Sequence, residues 1–157
     1  MSEPIITHNR RRSRLSTLID QPGGISTRTA LRQASENLAG LEQRSAEMLE
    51  ATIAELAALP LPSSSETRLA QMERAYALAS GIIDAAGPFG HDDLCAAAYN
   101  LCDLLDAGSA DTNFDWRIVT VHVQSFKLLM ALPSDQKLAK EQVLQSLKHL
   151  RAKVSQS

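Results

Sequence analysis

Apolar positions recur every three or four residues through most of the chain and never alternate over the length of a strand. After Ser26 or Thr27, which can cap a helix, Leu31, Ala34, Leu38, Leu41, Ser45, Met48 and Thr52 form a heptad stripe with weak polar members. Leu49, Ile53 and Leu56 take over from it before about Leu59. This predicts a helix roughly 45–50 Å long at 1.5 Å per residue. A hairpin, a coiled coil or the long first helix of a bundle would each use it. Pro60-Leu61-Pro62-Ser63-Ser64-Ser65 then reads as a linker ending in a good N-cap.

Four shorter helices follow. One runs from about Glu66 to Ala86, with Leu69, Met72, Tyr76, Ala79, Ile83 and Ala86 as its stripe, and Gly87-Pro88-Phe89-Gly90 stops it. The next, about Asp92 to Ala107, turns Leu94, Cys95, Ala98, Leu101, Cys102 and Leu105 inward and places Asp92 and Asp93 at its positive end. From about Phe114 to Leu132 the polar residues Arg117, Thr120, Gln124 and Lys127 fill one narrow stripe, as expected of a central helix. Pro133 ends it, and Ser134 caps a last helix to about Lys153, buried through Leu138, Val143, Leu144, Leu147 and Leu150. The expected fold is all-α: a helical bundle of about four short helices with a long N-terminal helix. The division is a flexible basic arm 1–25, the long helix 26–59, a linker 60–65 and a bundle domain 66–153.

Composition supports the absence of a sandwich or barrel, since alanine and leucine number 22 each and aromatics make up only 4%. Charge is unevenly spread. Residues 1–32 hold six arginines against two acids, 33–133 five basic against fourteen acidic side chains, and 134–157 five basic against two acidic. An acidic centre disfavours a nucleic-acid-binding core and suits a protein-binding domain. Arg10-Arg11-Arg12-Ser13-Arg14 is followed by Asp20, Pro22 and two glycines rather than an apolar run, so it is not an export signal. With no run of apolar residues long enough for a membrane span, the expected location is the cytoplasm. Cys95 and Cys102, about 10 Å apart along one helix face, are expected to be reduced core residues.

Candidate chemistry is sparse. No nucleophile–base set, phosphate loop or dinucleotide fingerprint is present, so neither an enzyme nor a cofactor is expected. His8 lies in the arm and His149 on an exposed turn. His91 beside Asp92 and Asp93 lacks further ligands, so no metal site is expected. His122 is the one histidine in mid-helix, where it could act as a phosphoacceptor. That role needs an exposed imidazole with a Lys or Gln about one turn away. His122 instead points nearly opposite the polar stripe, among Ile118, Val121, Ser125 and Leu129. The expectation is a core histidine, hydrogen-bonded by Tyr76, Tyr99 or a backbone carbonyl. Acidic pairs such as Asp103 and Asp106 suit a solvated face better than acid–base work.

Three segments carry a family likeness. They are Pro22-Gly23-Gly24 with Ala30-Leu31-Arg32-Gln33-Ala34 and Leu38; Gly87-Pro88-Phe89-Gly90 with Ala97 to Asp106; and Val121 to Leu129 with Val143 to Leu147. Over roughly residues 20–150 the chain resembles the CheE chemotaxis-protein family of alphaproteobacteria. Residues 74–106 are also similar in general shape to histidine phosphotransfer domains. Tyr76 stands at the approximate position of their histidine, and Ala79 where a lysine belongs. The resemblance implies a non-enzymatic accessory of a chemotaxis or two-component pathway, which docks on a response-regulator receiver or a histidine kinase without phosphoryl chemistry. The face expected to dock carries Glu73, Ser80, Asp84, Asp103 and Asp106. Two alternatives are an active phosphotransfer protein using His122, and a coiled-coil module that homodimerises through the long helix.

Overall fold

A computed structural model of the chain describes residues 23–108 and 114–154. The expected arm, including His8 and the arginine cluster, lies almost wholly outside them. The described residues form five helices and no strand: α1 Thr27–Ala57, α2 Ser65–Ala86, α3 Asp92–Gly108, α4 Arg117–Ala131 and α5 Lys137–Val154. The fold is the all-α helical bundle with a long N-terminal helix that the periodicity predicts.

The described residues fall into two units that divide between Ala39 and Gly40. In the first, Ser26 Oγ caps α1 by accepting from Thr29 N at 3.2 Å, and Arg32 pairs with Glu36 one turn on. Leu31 and Leu38 are exposed.

In the second unit, residues 40–57 of α1 bury Leu49, Ile53 and Leu56. Ser45 Oγ donates to the Ala85 carbonyl at 2.6 Å, and Glu55 pairs with Arg74. These two ties sit at opposite ends of the contact, so α1 and α2 run antiparallel. Ser64 caps α2 through a capping box with Thr67. The turn Gly87–Phe89 is a single 3₁₀ turn closed by Gly90 at φ 73°, a conformation that favours glycine. It folds α3 back antiparallel against α2.

The hub of the bundle is α3, which packs against α2, α4 and α5. Its inner residues explain this: Ala97 and Ala98 are fully buried and let neighbouring backbones approach, with Leu94, Leu101, Leu104 and Leu105 around them. The expectation that the helix after Phe114 is central is therefore corrected. That helix, α4, buries Ile118, Val119, His122, Val123, Phe126 and Leu129 but leaves Val121 and Leu128 in water. Asp115 supplies its N-terminus, accepting from Arg117 N at 3.0 Å. On α5, Leu147 is buried, Val143 and Leu144 pack on the core, and Leu138, expected inside, is exposed. Lys140 and Arg151 of α5 reach Asp93 and Asp103 of α3, each at 2.7 Å. These pairs lie in the same order along both helices, so α5 runs parallel to α3.

Candidate functional site

The two places where polarity and burial disagree with helix periodicity are the interior around His122 and the outer groove between α2 and α3. In the first, His122 is fully buried on α4 and Asn100 nearly so on α3. His122 Nδ1 lies 2.8 Å from the Ile118 carbonyl one turn back. A carbonyl only accepts, so Nδ1 carries the proton and donates. Nε2 lies 3.0 Å from Asn100 Oδ1. A neutral ring with its proton on Nδ1 accepts there from the amide NH2 group once that group is turned toward Nε2. Burial pushes the imidazole below its ordinary value of 6.5, partly opposed by the Ile118 hydrogen bond. The ring of Phe126 stands 6.4 Å from that of His122. Both ring nitrogens are engaged, no edge reaches solvent, and Gln124 and Lys127 face outward. An aspartyl phosphate has no approach to this imidazole.

The hydrogen-bond partner is where expectation and structure part. Tyr76 and Tyr99, expected in the core, are 46% and 57% exposed. The backbone carbonyl agrees with the expectation, and Asn100 is the partner that only the structure shows. Its signal lay in the sequence as an amide between Ala97 and Leu104, one turn from each on what proves to be the inner face of α3.

The second place is a groove lined by Leu69, Met72, Glu73 and Tyr76 of α2 and by Leu105 and Asp106 of α3. Met72 and Leu105 form a buried floor, while Leu69 and Tyr76 stand about half exposed as walls. At 100° per residue, Leu69, Glu73, Tyr76, Ser80 and Asp84 fall on one ridge of α2. Arg68 and Arg74 lie well off it, and Arg74 is engaged by Glu55. On α3, Tyr99, Asp103 and Asp106 form a second exposed ridge. Of the five expected docking residues, Glu73 and Asp106 thus line one groove. Asp103 pairs with Arg151. Ser80 is half-buried and Asp84 exposed farther along α2. The sequence stripe placed Leu69 and Tyr76 inside; the buried face of α2 is rotated away from them, to Ala75, Leu78, Ala79 and Ile82.

Other chemistry is limited. Cys102 is buried and its thiol pushed up to about 11, by burial first and by Asp103 second. Cys95 is raised for the same leading reason, with Asp92 and Asp93 adding to it. Both shifts disfavour the reactive thiolate at neutral pH. His91, Asp92 and Asp93 share a cleft with Lys137 and Lys140, whose charges oppose a cation there. No group of three or more metal-capable side chains occurs among the described residues. No helix among them is long and apolar enough to cross a membrane.

Comparison with protein-family models, with curated proteins and with solved structures finds no match to this chain.

Proposed function

We propose that this chain is a non-enzymatic, cytoplasmic accessory protein of a bacterial chemotaxis or two-component pathway, which binds a response-regulator receiver or a histidine kinase through the α2–α3 face. The carrying observation is the groove: two large apolar walls left in water, with Glu73 and Asp106 on its rim. Apolar side chains grouped over a preformed cleft are a common mark of a binding surface. The segment resemblance described above supplies the pathway. Calorimetry or crosslinking against cognate receivers and kinases tests this. Binding to at least one, lost in Leu69→Glu, is expected; failure to bind any of them would sink the reading.

His122 takes no part in this function. Incubation with a phosphorylated receiver should leave the protein unlabelled, and a label that disappears in His122→Gln would overturn that statement. A second reading, self-association through α1, draws on the exposure of Leu41 and Met48 in the bundle unit, each more than half open. It predicts a concentration-dependent dimer in sedimentation that Leu41→Lys abolishes.

A further inference from the structure

The exposed stretch of α1 carries a pattern that complements its own reverse. Every residue from Ala30 to Arg44 is exposed. Ser45, tied to the Ala85 carbonyl, is the first residue beyond them on the same stripe held by another helix. Leu31, Ala34, Leu38 and Leu41 follow the three–four–three spacing of a heptad seam and fall within an arc of about 80°. The three leucines are more than half open to water. Gly40 lies in the same run and weakens a stretch of helix that nothing packs against among the described residues.

Two kinds of complementarity select what covers this stripe. When two copies cross antiparallel about a two-fold axis at the level of Glu36, Leu31 meets Leu41 of the second copy and Ala34 meets its Leu38, because each pair is equidistant from residue 36. A small side chain then faces a large one at both central positions. A parallel pair would set Ala34 against Ala34 and leave a gap in the seam.

The charges follow the same symmetry. Arg28, Ser35 and Glu42 recur at seven residues along one flank of the stripe, and Ala30, Asn37 and Arg44 along the other. A two-fold axis across the helices brings each flank against its own copy in reverse order. Arg28 of one copy then faces Glu42 of the other, twice per dimer, while Arg44 faces only Ala30. In a parallel pair the two different flanks oppose each other, and Arg28 meets no carboxylate because the other flank has none. Arg28 and Glu42 are both exposed and make no ion pair among the described residues. They stand about 21 Å apart along α1, too far to pair within one chain.

We propose that a second copy of this chain covers the stripe, in an antiparallel two-helix contact over residues 28–44 in which Arg28 pairs with Glu42 of the second copy. This deepens the self-association reading and rests on it; it is independent of the α2–α3 face. The leucines supply the affinity and the ion pairs the orientation. With so few apolar positions per copy the contact is small, so the dimer is weak, with a Kd of roughly micromolar or above.

The test is sedimentation equilibrium of the full chain over a wide concentration range. Arg28→Glu and Glu42→Arg each turn two attractive pairs into repulsive ones and should weaken association about tenfold. The double variant Arg28→Glu/Glu42→Arg should regain it, and so should an equimolar mixture of the two single variants. Leu38→Glu should leave no detectable dimer, and Leu69→Glu should leave the dimer as it is. All these residues are exposed, so circular dichroism should be unchanged.

A dimer indifferent to the single reversals, or not restored by the double variant, overturns the antiparallel register. If Leu38→Glu still dissociates that dimer, self-association through α1 stands without it. A dimer that Leu69→Glu dissociates overturns the proposal by moving the contact to the α2–α3 face. A monomer at every concentration removes both the register and the self-association reading, and leaves the stripe to a different occupant.

Discussion

The His122–Asn100 pair and the α2–α3 groove are opposite departures from the rule that helices hide apolar and show polar side chains. The pair buries two polar groups, and each satisfies the other, with the Ile118 carbonyl completing the imidazole. The groove leaves Leu69 and Tyr76 in water with nothing covering them among the described residues. A buried polar group with its partners made is consistent with a structural role, because an unmade hydrogen bond inside costs more than a made one contributes. An exposed apolar pair over a cleft has no such intramolecular explanation. The difference separates a site that serves the fold from a surface the fold leaves unused, which is the face proposed to dock a partner, although both involve residues of unexpected polarity on helices.

Breaking the buried side of this comparison should have the largest effect. His122→Ala leaves a cavity beside Phe126 and strands the Asn100 amide, at about 3–5 kcal/mol of unfolding free energy in urea titrations. Asn100→Ala strands only Nε2 and should cost about 1–3 kcal/mol. If the two residues act as a unit, the double replacement by leucine loses less than the sum of the single leucine variants.

Acid sharpens the same point. Burial holds the folded imidazole below 6.5, so as pH falls the unfolded chain takes up the proton first. Stability is therefore full above about pH 6.5 and declines below it, down to the folded-state value, by up to about 1.4 kcal/mol per pH unit. Urea midpoints at pH 7.5 and 5 measure this, and His122→Leu should flatten the difference. The smallest effect belongs to the groove. Leu69→Ser and Tyr76→Ser should change stability by about 0.5 kcal/mol or less. A loss several times larger would mean that these side chains support the fold and are not a docking surface.

Element boundaries were legible because they are local. Pro60 and Pro62, the Ser64–Thr67 capping box, Gly87 to Gly90 and Pro133 punctuate the chain whatever surrounds it. The burial of His122 was equally legible, since its direction on α4 follows from 100° per residue. Faces that depend on neighbours were read less well. On α2 the apolar residues are wide enough to offer two stripes, one through Leu69, Met72 and Tyr76 and one through Ala75, Leu78 and Ile82. The core took the second together with Met72 from the first, and left Leu69 and Tyr76 outside. Leu138 failed for a similar reason: it follows the α5 periodicity but lies in the first turn, where no partner covers it.

The candidate docking residues show the same limit. Their grouping on two helices could be read from spacing, but their fates could not. Asp103 pairs with Arg151, and Glu73 and Asp106 line one groove.

By itself the sequence determined an all-helical chain, its breaks, and a histidine turned inward on its helix. These follow from backbone geometry and side-chain direction, which act over a few residues. Tertiary structure alone decided that α3 and not α4 is the hub, that Asn100 is the partner of His122, and that Leu69 and Tyr76 stand outside. Those outcomes depend on which helix faces can approach closely. Small side chains such as Ala97 and Ala98 set that approach only when all the helices pack together.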